Sequence, residues 1–221
     1  MTFTHVIFDL DGTVLNTIND LAASANYICT QHNWPSFTID EYKQKVGNGM
    51  AKLVERFMPT GLAQSDPKLF SSTLAEFRNY YAYHSNDSTS PYKGIPQLLD
   101  ICNQHQITLA LLTNKDHSSA VPLIEQHFGK ERFAYVQGRI PDFPPKPQAA
   151  ITQHVMHQIN ANPETTLYVG DSNVDILTGH NANMKSCGVL WGFRTKKELK
   201  NAGADFIAET PDDLLNIILN S

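Results

Sequence analysis

The chain has 221 residues, 41% hydrophobic and 18% charged, which suits one globular domain or a core domain carrying an insertion. Its 17 basic and 22 acidic residues leave a net charge of −5, which argues against bulk nucleic-acid binding and obliges any phosphate site to gather positive charge locally. No apolar run approaches the roughly 18 residues that span a bilayer, and Cys29, Cys102 and Cys187 show no disulfide or zinc spacing, so a reduced, cytoplasmic setting without membrane insertion is expected.

Thr4 to Leu10 reads as a buried strand that runs into Asp9-Leu10-Asp11-Gly12. From Thr17, a candidate N-cap, the apolar residues Ile18, Leu21, Ala22, Ala25, Ile28 and Cys29 fall at helical spacing. Met50, Leu53, Val54 and Phe57 predict a second amphipathic helix, and Phe70, Leu74, Phe77 and Tyr81 a third. Residues 17 to 85 therefore predict a small helical bundle, followed by a polar linker from Asn86 to Pro91. Beyond it helix and strand alternate: a helix near Ile95 to His105, a strand Ile107 to Leu112, and a helix around Ser119 to Phe128. A strand at Phe133 to Val136, a helix over 147–159 and a strand at Thr166 to Val169 come next. Short strands near Lys185 to Leu190 and Asp205 to Ala208 precede a C-terminal helix opened by Thr210-Pro211. Such alternation predicts a parallel sheet with helices on both faces, and in such sheets the site lies beyond the carboxyl ends of the strands.

Several polar residues fall at those ends. Asp9 and Asp11 close the first strand and Gly12 allows a sharp turn whose N–H groups can cradle an anion, although a strand followed by an Asp-Gly turn is common without function. Two carboxylates beside a phosphate would repel it unless a cation intervenes, and Mg²⁺ favours such oxygen ligands. Asp171 and Asp175 repeat the arrangement after a later strand, where helix N-capping is the plain alternative. Lys146 lies between Pro145 and Pro147, as a solvated charge or as the cation that neutralises phosphate and nucleophile. Thr113 ends an apolar strand, so its hydroxyl either donates to a phosphate oxygen or simply closes the strand. Tyr80, Tyr81, Tyr83 and His84 are expected to pack in the helical region, and His154 and His157 to lie on the surface. Trp191 follows a strand end, as site rim or as packing.

Taken in order, Asp9-Leu10-Asp11-Gly12-Thr13, Thr113-Asn114, Lys146-Pro147 and Gly170-Asp171-Ser172-Asn173-Val174-Asp175 resemble the four motifs of the haloacid dehalogenase-like superfamily. The resemblance covers essentially the whole chain. It implies an α/β fold with a Rossmann-like parallel core over 1–15 and 89–221, and an inserted α-helical cap domain over 16–88. Val46-Gly47-Asn48-Gly49, Leu53-Val54-Glu55-Arg56, Thr113-Asn114-Lys115 and Trp191-Gly192-Phe193 look most like the phosphoglycolate phosphatases. Asn16 stands where that family usually has an aspartate, and Gln148-Ala149 where a second proline is common.

The resemblance implies a Mg²⁺-dependent phosphatase acting on a small phosphorylated metabolite, 2-phosphoglycolate first among candidates. Asp9 would be the nucleophile and Asp11 the acid and base, with Thr113 and Lys146 completing the catalytic set. Mg²⁺ would be held by Asp9, the Asp11 carbonyl, Asp171 and Asp175 as ligand or support. Thr13, Gly47, Asn48, Arg56 and Asn114 are the substrate-binding candidates, with Arg56 or Lys43 placed to pair with a substrate carboxylate. A pyrophosphatase, a sugar-phosphate phosphatase and a phosphomutase share the scaffold. A phosphoacceptor signalling domain and a catalytically dead scaffold are the readings from other classes. A monomer or homodimer is expected, with no nucleic-acid or membrane partner.

Overall fold

A computed structural model describes residues 3–220 of the chain. The chain forms two units: one runs up to Asn16 and resumes at Pro91, and the other is Thr17–Ser90.

In the first unit, short apolar strands are separated by amphipathic helices. Such a sequence builds a parallel sheet, because a crossover helix brings the chain back to start the next strand in the same direction. The strands of the main sheet are β1 (His5–Phe8), β2 (Thr108–Asp116), β3 (Tyr135–Arg139), β4 (Thr166–Gly170), β5 (Lys185–Val189) and β6 (Phe206–Ala208). They lie in the order β3-β2-β1-β4-β5-β6, with every pairing parallel. Phe8 is in register with Leu111 on one side and Val169 on the other. The chain thus leaves β1 with β2 and β4 on opposite flanks, the switch point where such sheets open a crevice.

The helices in chain order are α1 (Ile18–Gln31), α2 (Ile39–Lys45), α3 (Met50–Phe57), α4 (Leu62–Ser65) and α5 (Pro67–His84), all in the second unit. The first unit adds α6 (Ile95–Gln104), α7 (His117–Phe128), α8 (Ala149–Gln158), α9 (Asn173–Asn181), α10 (Lys196–Asn201) and α11 (Pro211–Asn220). Strand side chains alternate between faces. Val6, Phe8, Leu109, Leu111, Leu167 and Val169 pack with α6, α7 and α11 through Leu99, Ile124 and Leu214. Ile7, Ala110, Leu112 and Tyr168 face the other way and pack with Ile151, Val155 and Met156 of α8. The buried carboxylates Asp9 and Asp171 directly follow the points where β1 and β4 stop.

The second unit closes on its own core of Leu21, Ala25, Ile28, Tyr42, Leu53, Val54, Phe57, Phe77 and Tyr81. Helix α2 begins with a capping box in which Thr38 and Glu41 satisfy each other's backbone, and Asp66 caps α5 ahead of Pro67. Asp20 is buried and accepts from the Ser88 and Thr89 N–H groups and the Thr89 hydroxyl. Among the described residues no helix is long and apolar enough to cross a membrane.

The structure departs from the sequence expectations in particular places. Strand β2 continues through Thr113 to Asp116, with a register shift after Leu112, so Thr113 lies inside an irregular strand rather than at its end. Strand β3 starts at Tyr135, two residues late, because Phe133 turns into the core against Phe8 and Phe128. Helices α2, α4 and α10 are short and carry too few apolar positions to show a period. Thr17 occupies the N-cap position of α1 but makes no side-chain capping bond. Of the aromatic cluster in α5 only Tyr81 is buried: Tyr80 stacks on Tyr27 and His84, and Tyr83 is exposed. His157 is exposed, while His154 is half-buried with Nε2 3.1 Å from the Tyr135 hydroxyl.

Candidate active site

The site begins where β1 ends. The Asp9 N–H donates to the Val169 carbonyl at 2.8 Å, carrying the sheet pairing one residue past the strand. The chain then closes a tight loop in which the N–H groups of Thr13, Val14 and Leu15 donate to the Leu10 carbonyl and that of Gly12 to Leu15. Those four donors are spent inside the loop, so the anion cradle expected of this turn does not come from them. Gly12 has φ +86, and a Cβ there would collide with the Asp171 carboxylate. Glycine at this position is what lets the loop after β1 and the loop after β4 touch.

Asp9, Asp171 and Asp175 come together, each offering a carboxylate oxygen within 4.8 Å of the others, and all three are buried. The counter-charge among them is Lys146, whose side chain is 2% exposed. Its Nζ lies 2.8 Å from Asp9 Oδ1 and 2.8 Å from Asp175 Oδ1, and donates to the Tyr168 hydroxyl at 2.9 Å. Tyr168 in turn donates to the Leu112 carbonyl, so it presents a lone pair to the ammonium. Burial alone would lower the Lys146 pKa, but the charges of Asp175 and Asp9 outweigh it and hold the ammonium well above its usual range. For Asp9, burial followed by the Asp175 charge pushes the carboxyl up to about 7, with Lys146 opposing. Asp171 is raised well above the carboxylate range by burial and then by Asp175 and Asp9.

Three buried carboxylates facing one ammonium leave an excess of negative charge, and this excess is the test of whether a cation fits. Asp9 Oδ1 is buried without an aligned hydrogen bond; the Lys146 contact at 2.8 Å is charge pairing off the hydrogen-bond direction. Asp171 Oδ2 accepts from the Phe193 N–H at 2.6 Å, which aims the carboxylate. The donor set is all oxygen, as a hard divalent cation requires. Asp175 is different: Oδ1 faces Lys146, while Oδ2 accepts from the Ser172 N–H and hydroxyl at the head of α9. Both its oxygens are engaged, so it supports Lys146 and closes the helix cap, and Asp9 and Asp171 are the better ligands.

The remaining predicted residues divide between the units. Thr13 is buried, and its hydroxyl has no hydrogen-bond partner among the described residues. Thr113 Oγ1 accepts from the Lys115 N–H at 3.2 Å. Asn114 has a task not anticipated from the sequence: its side chain accepts from the Lys146 N–H at 2.9 Å and donates to the Lys146 carbonyl at 3.2 Å. It thereby fixes the main chain that presents the ammonium. Asp11 stands outside the carboxylate cluster, with Oδ1 3.1 Å from Lys115 Nζ. In the helical unit, Arg56 donates to the Lys45 carbonyl at 2.6 Å and to Asn48 Oδ1 at 2.7 Å, shaping the turn that holds Gly47 at φ +123. Lys43 pairs with Asp40 within α2.

Two residues of the site, Lys115 and Tyr168, have no role legible in the sequence, and Trp191, expected as site rim or packing, proves to fasten a loop. Lys115 was visible only as the third letter of Thr113-Asn114-Lys115, and a lysine after a strand usually points to water. Tyr168 looked like an ordinary strand residue. Trp191 and Gly192 fasten the loop after β5: Trp191 Nε1 donates to the Thr13 carbonyl at 2.9 Å, and Gly192 packs against Asp171 and the Gly12 carbonyl with no room for a Cβ.

The family description "Haloacid dehalogenase-like hydrolase" matches residues 6–189. The phosphoglycolate phosphatase of Vibrio parahaemolyticus is 30% identical over 96% of this chain and 95% of its own length. That of Psychrobacter arcticus is 34% identical over 88% of this chain and 86% of its own. A crystal structure from Lactobacillus delbrueckii subsp. bulgaricus superposes with a TM-score of 0.93 at 29% identity and full coverage of both chains.

Proposed function

The chain belongs to the haloacid dehalogenase-like hydrolase family, and from that premise we propose that it is a magnesium-dependent phosphatase that hydrolyses 2-phosphoglycolate through a phosphoaspartate on Asp9. The observation that carries this reading is the buried cluster of Asp9, Asp171 and Asp175 around the Lys146 ammonium, set at the carboxyl ends of β1 and β4. The relatives named as phosphoglycolate phosphatases, similar over nearly their whole length, support the substrate.

In the first step an Asp9 oxygen attacks phosphorus, the ester P–O bond breaks, and Asp11 gives its proton to the departing alkoxide. In the second, Asp11 takes a proton from water, the oxygen of that water attacks phosphorus, and Asp9 leaves as a carboxylate. Lys146 favours the ionised form of Asp9 and aims it, while Asn114, Tyr168 and Asp175 hold Lys146 in place. The Thr13 and Thr113 hydroxyls are the donors for phosphoryl oxygens. Asp9, Asp171 and the Asp11 carbonyl would hold magnesium, which would supply neutralising charge for the attack on the phosphoryl group. The helical unit Thr17–Ser90 is an insertion between the two parts of the sheet unit.

Phosphate release from phosphoglycolate, hexose phosphates, nucleotides and pyrophosphate, each with Mg²⁺ and with excess chelator, tests the reading. Mg²⁺-dependent release with phosphoglycolate preferred is expected. Full rates in chelator would remove the metal, and a preference for another ester would replace the substrate.

A further inference from the structure

Lys115 is a second ammonium in the core site, and the reaction described above gives it no task. Its side chain is 2% exposed, a costly position for a charge that must be repaid by an anionic partner. Its Nζ lies 3.1 Å from Asp11 Oδ1. Lys146, by contrast, addresses Asp9 and Asp175. The two ammonium groups therefore serve different carboxylates: one belongs to the nucleophile, the other to the acid. The irregular stretch of β2 after Leu112 brings Lys115 there, and its own N–H is tied to Thr113 Oγ1.

We propose that Lys115 reads an anionic group on the leaving alcohol, so that the enzyme selects phosphate monoesters whose alcohol carries a carboxylate one methylene from the ester oxygen. This rests on the phosphatase reading, in which Asp11 protonates the leaving oxygen. For that transfer the ester oxygen must come within hydrogen-bond reach of Asp11. A carboxylate joined to that oxygen through a single methylene then falls within reach of an ammonium lodged on the same Asp11. In the helical unit, Arg56 donates to the Lys45 carbonyl and to Asn48 Oδ1. A neutral alcohol of the same size offers Lys115 no anionic group to pair with.

The test is Lys115→Met assayed against phosphoglycolate and ethyl phosphate, a neutral ester of similar size, with Mg²⁺ present. Both activities fall, because Asp11 loses its partner. The preference for phosphoglycolate, taken as the ratio of kcat/KM values, falls by about 30-fold, the worth of one charge-assisted hydrogen bond, mostly through KM. A ratio within about threefold of wild type, or a wild-type enzyme with no preference to lose, overturns the proposal while leaving the phosphatase intact. Release from neither ester by the wild type would defeat the phosphatase reading itself, and this proposal with it. Should Lys115→Met fail to fold, Lys115→Arg keeps the charge and must keep most of the preference. On the wild type, the Lys115 side-chain NMR signals must then shift with glycolate and not with ethanol.

Discussion

Replacing Lys146 with methionine would leave Asp9, Asp171 and Asp175 buried together with no ammonium among them. The expected result is a fall in kcat of about a thousandfold or more, because the nucleophile loses both its aim and its neutralising charge. Folding is expected to survive in Mg²⁺ and to weaken by about 3 kcal/mol in chelator, where neither the ammonium nor the cation offsets the buried carboxylates. Denaturation curves in the two buffers check this; equal stability in both would mean that Lys146 and the metal do not share the same carboxylates. At this scale much could be read in advance. Asp9, Asp11, Lys146, Asp171 and Asp175 stood out because, although each alone has a common structural use, together and in order they make up a set of motifs. Tyr168 and Lys115 did not stand out, and Asn114 stood out as a substrate-binding candidate rather than as the clamp on Lys146, because these roles depend on contacts across 22 to 104 residues of sequence, which no local pattern encodes.

Among the elements, the loop between β5 and α10 is where positioning is concentrated. The Phe193 N–H aims Asp171, Trp191 Nε1 holds the Thr13 carbonyl, and Gly192 sits between them against the Asp171 side chain and the Gly12 carbonyl. Gly192→Ala must push these loops apart. The expected cost is about 2 kcal/mol of stability, as for other overpacked sites, together with weaker Mg²⁺ binding. Isothermal titration with Mg²⁺ is the check: unchanged affinity would show that this loop does not set the metal ligands. The long strands and amphipathic helices were legible because burial on one or both faces writes itself into the period of the sequence. The short α2 was not, although Thr38 and Glu41 spell its capping box, since a cap signal without an apolar run to follow has no period to confirm it. The extent of β2 was missed for the opposite reason: Thr113 to Asp116 are polar, and they remain in the strand only because β3 pairs with Asp116 through Arg139.

The molecule as a whole carries a pH dependence that metal should reverse. Asp9 is pushed up to about 7, chiefly by burial, and Asp171 is raised as well. The folded metal-free protein therefore retains protons that the unfolded chain gives up from about pH 4 upward. Where the native state binds more protons than the unfolded one, stability falls as pH rises, here from about pH 4 through about pH 7. Mg²⁺ needs ionised carboxylates, so the rise in Tm on adding it should grow over the same window. Thermal unfolding at about pH 5 and about pH 8, in chelator and in saturating Mg²⁺, reads this directly. His5 and His127, whose pKa values burial lowers, work the other way, so a rise in Tm on adding Mg²⁺ that does not grow with pH would contradict the cluster as described. The division into a sheet unit and a helical unit follows from a change in sequence period near Asn16 and again near Pro91.

The most direct measurement is to look for the phosphoryl group on Asp9. The Asp11→Asn variant, mixed with p-nitrophenyl phosphate and Mg²⁺ and quenched in acid, is the preparation to use. Nitrophenolate leaves without needing a proton, so the first step proceeds, while the second lacks its base. A phosphoryl adduct on the peptide containing Asp9, accumulating with a burst of nitrophenolate and absent from Asp9→Asn, is the predicted result. A burst with no adduct on that peptide, or with an adduct elsewhere, would contradict the account.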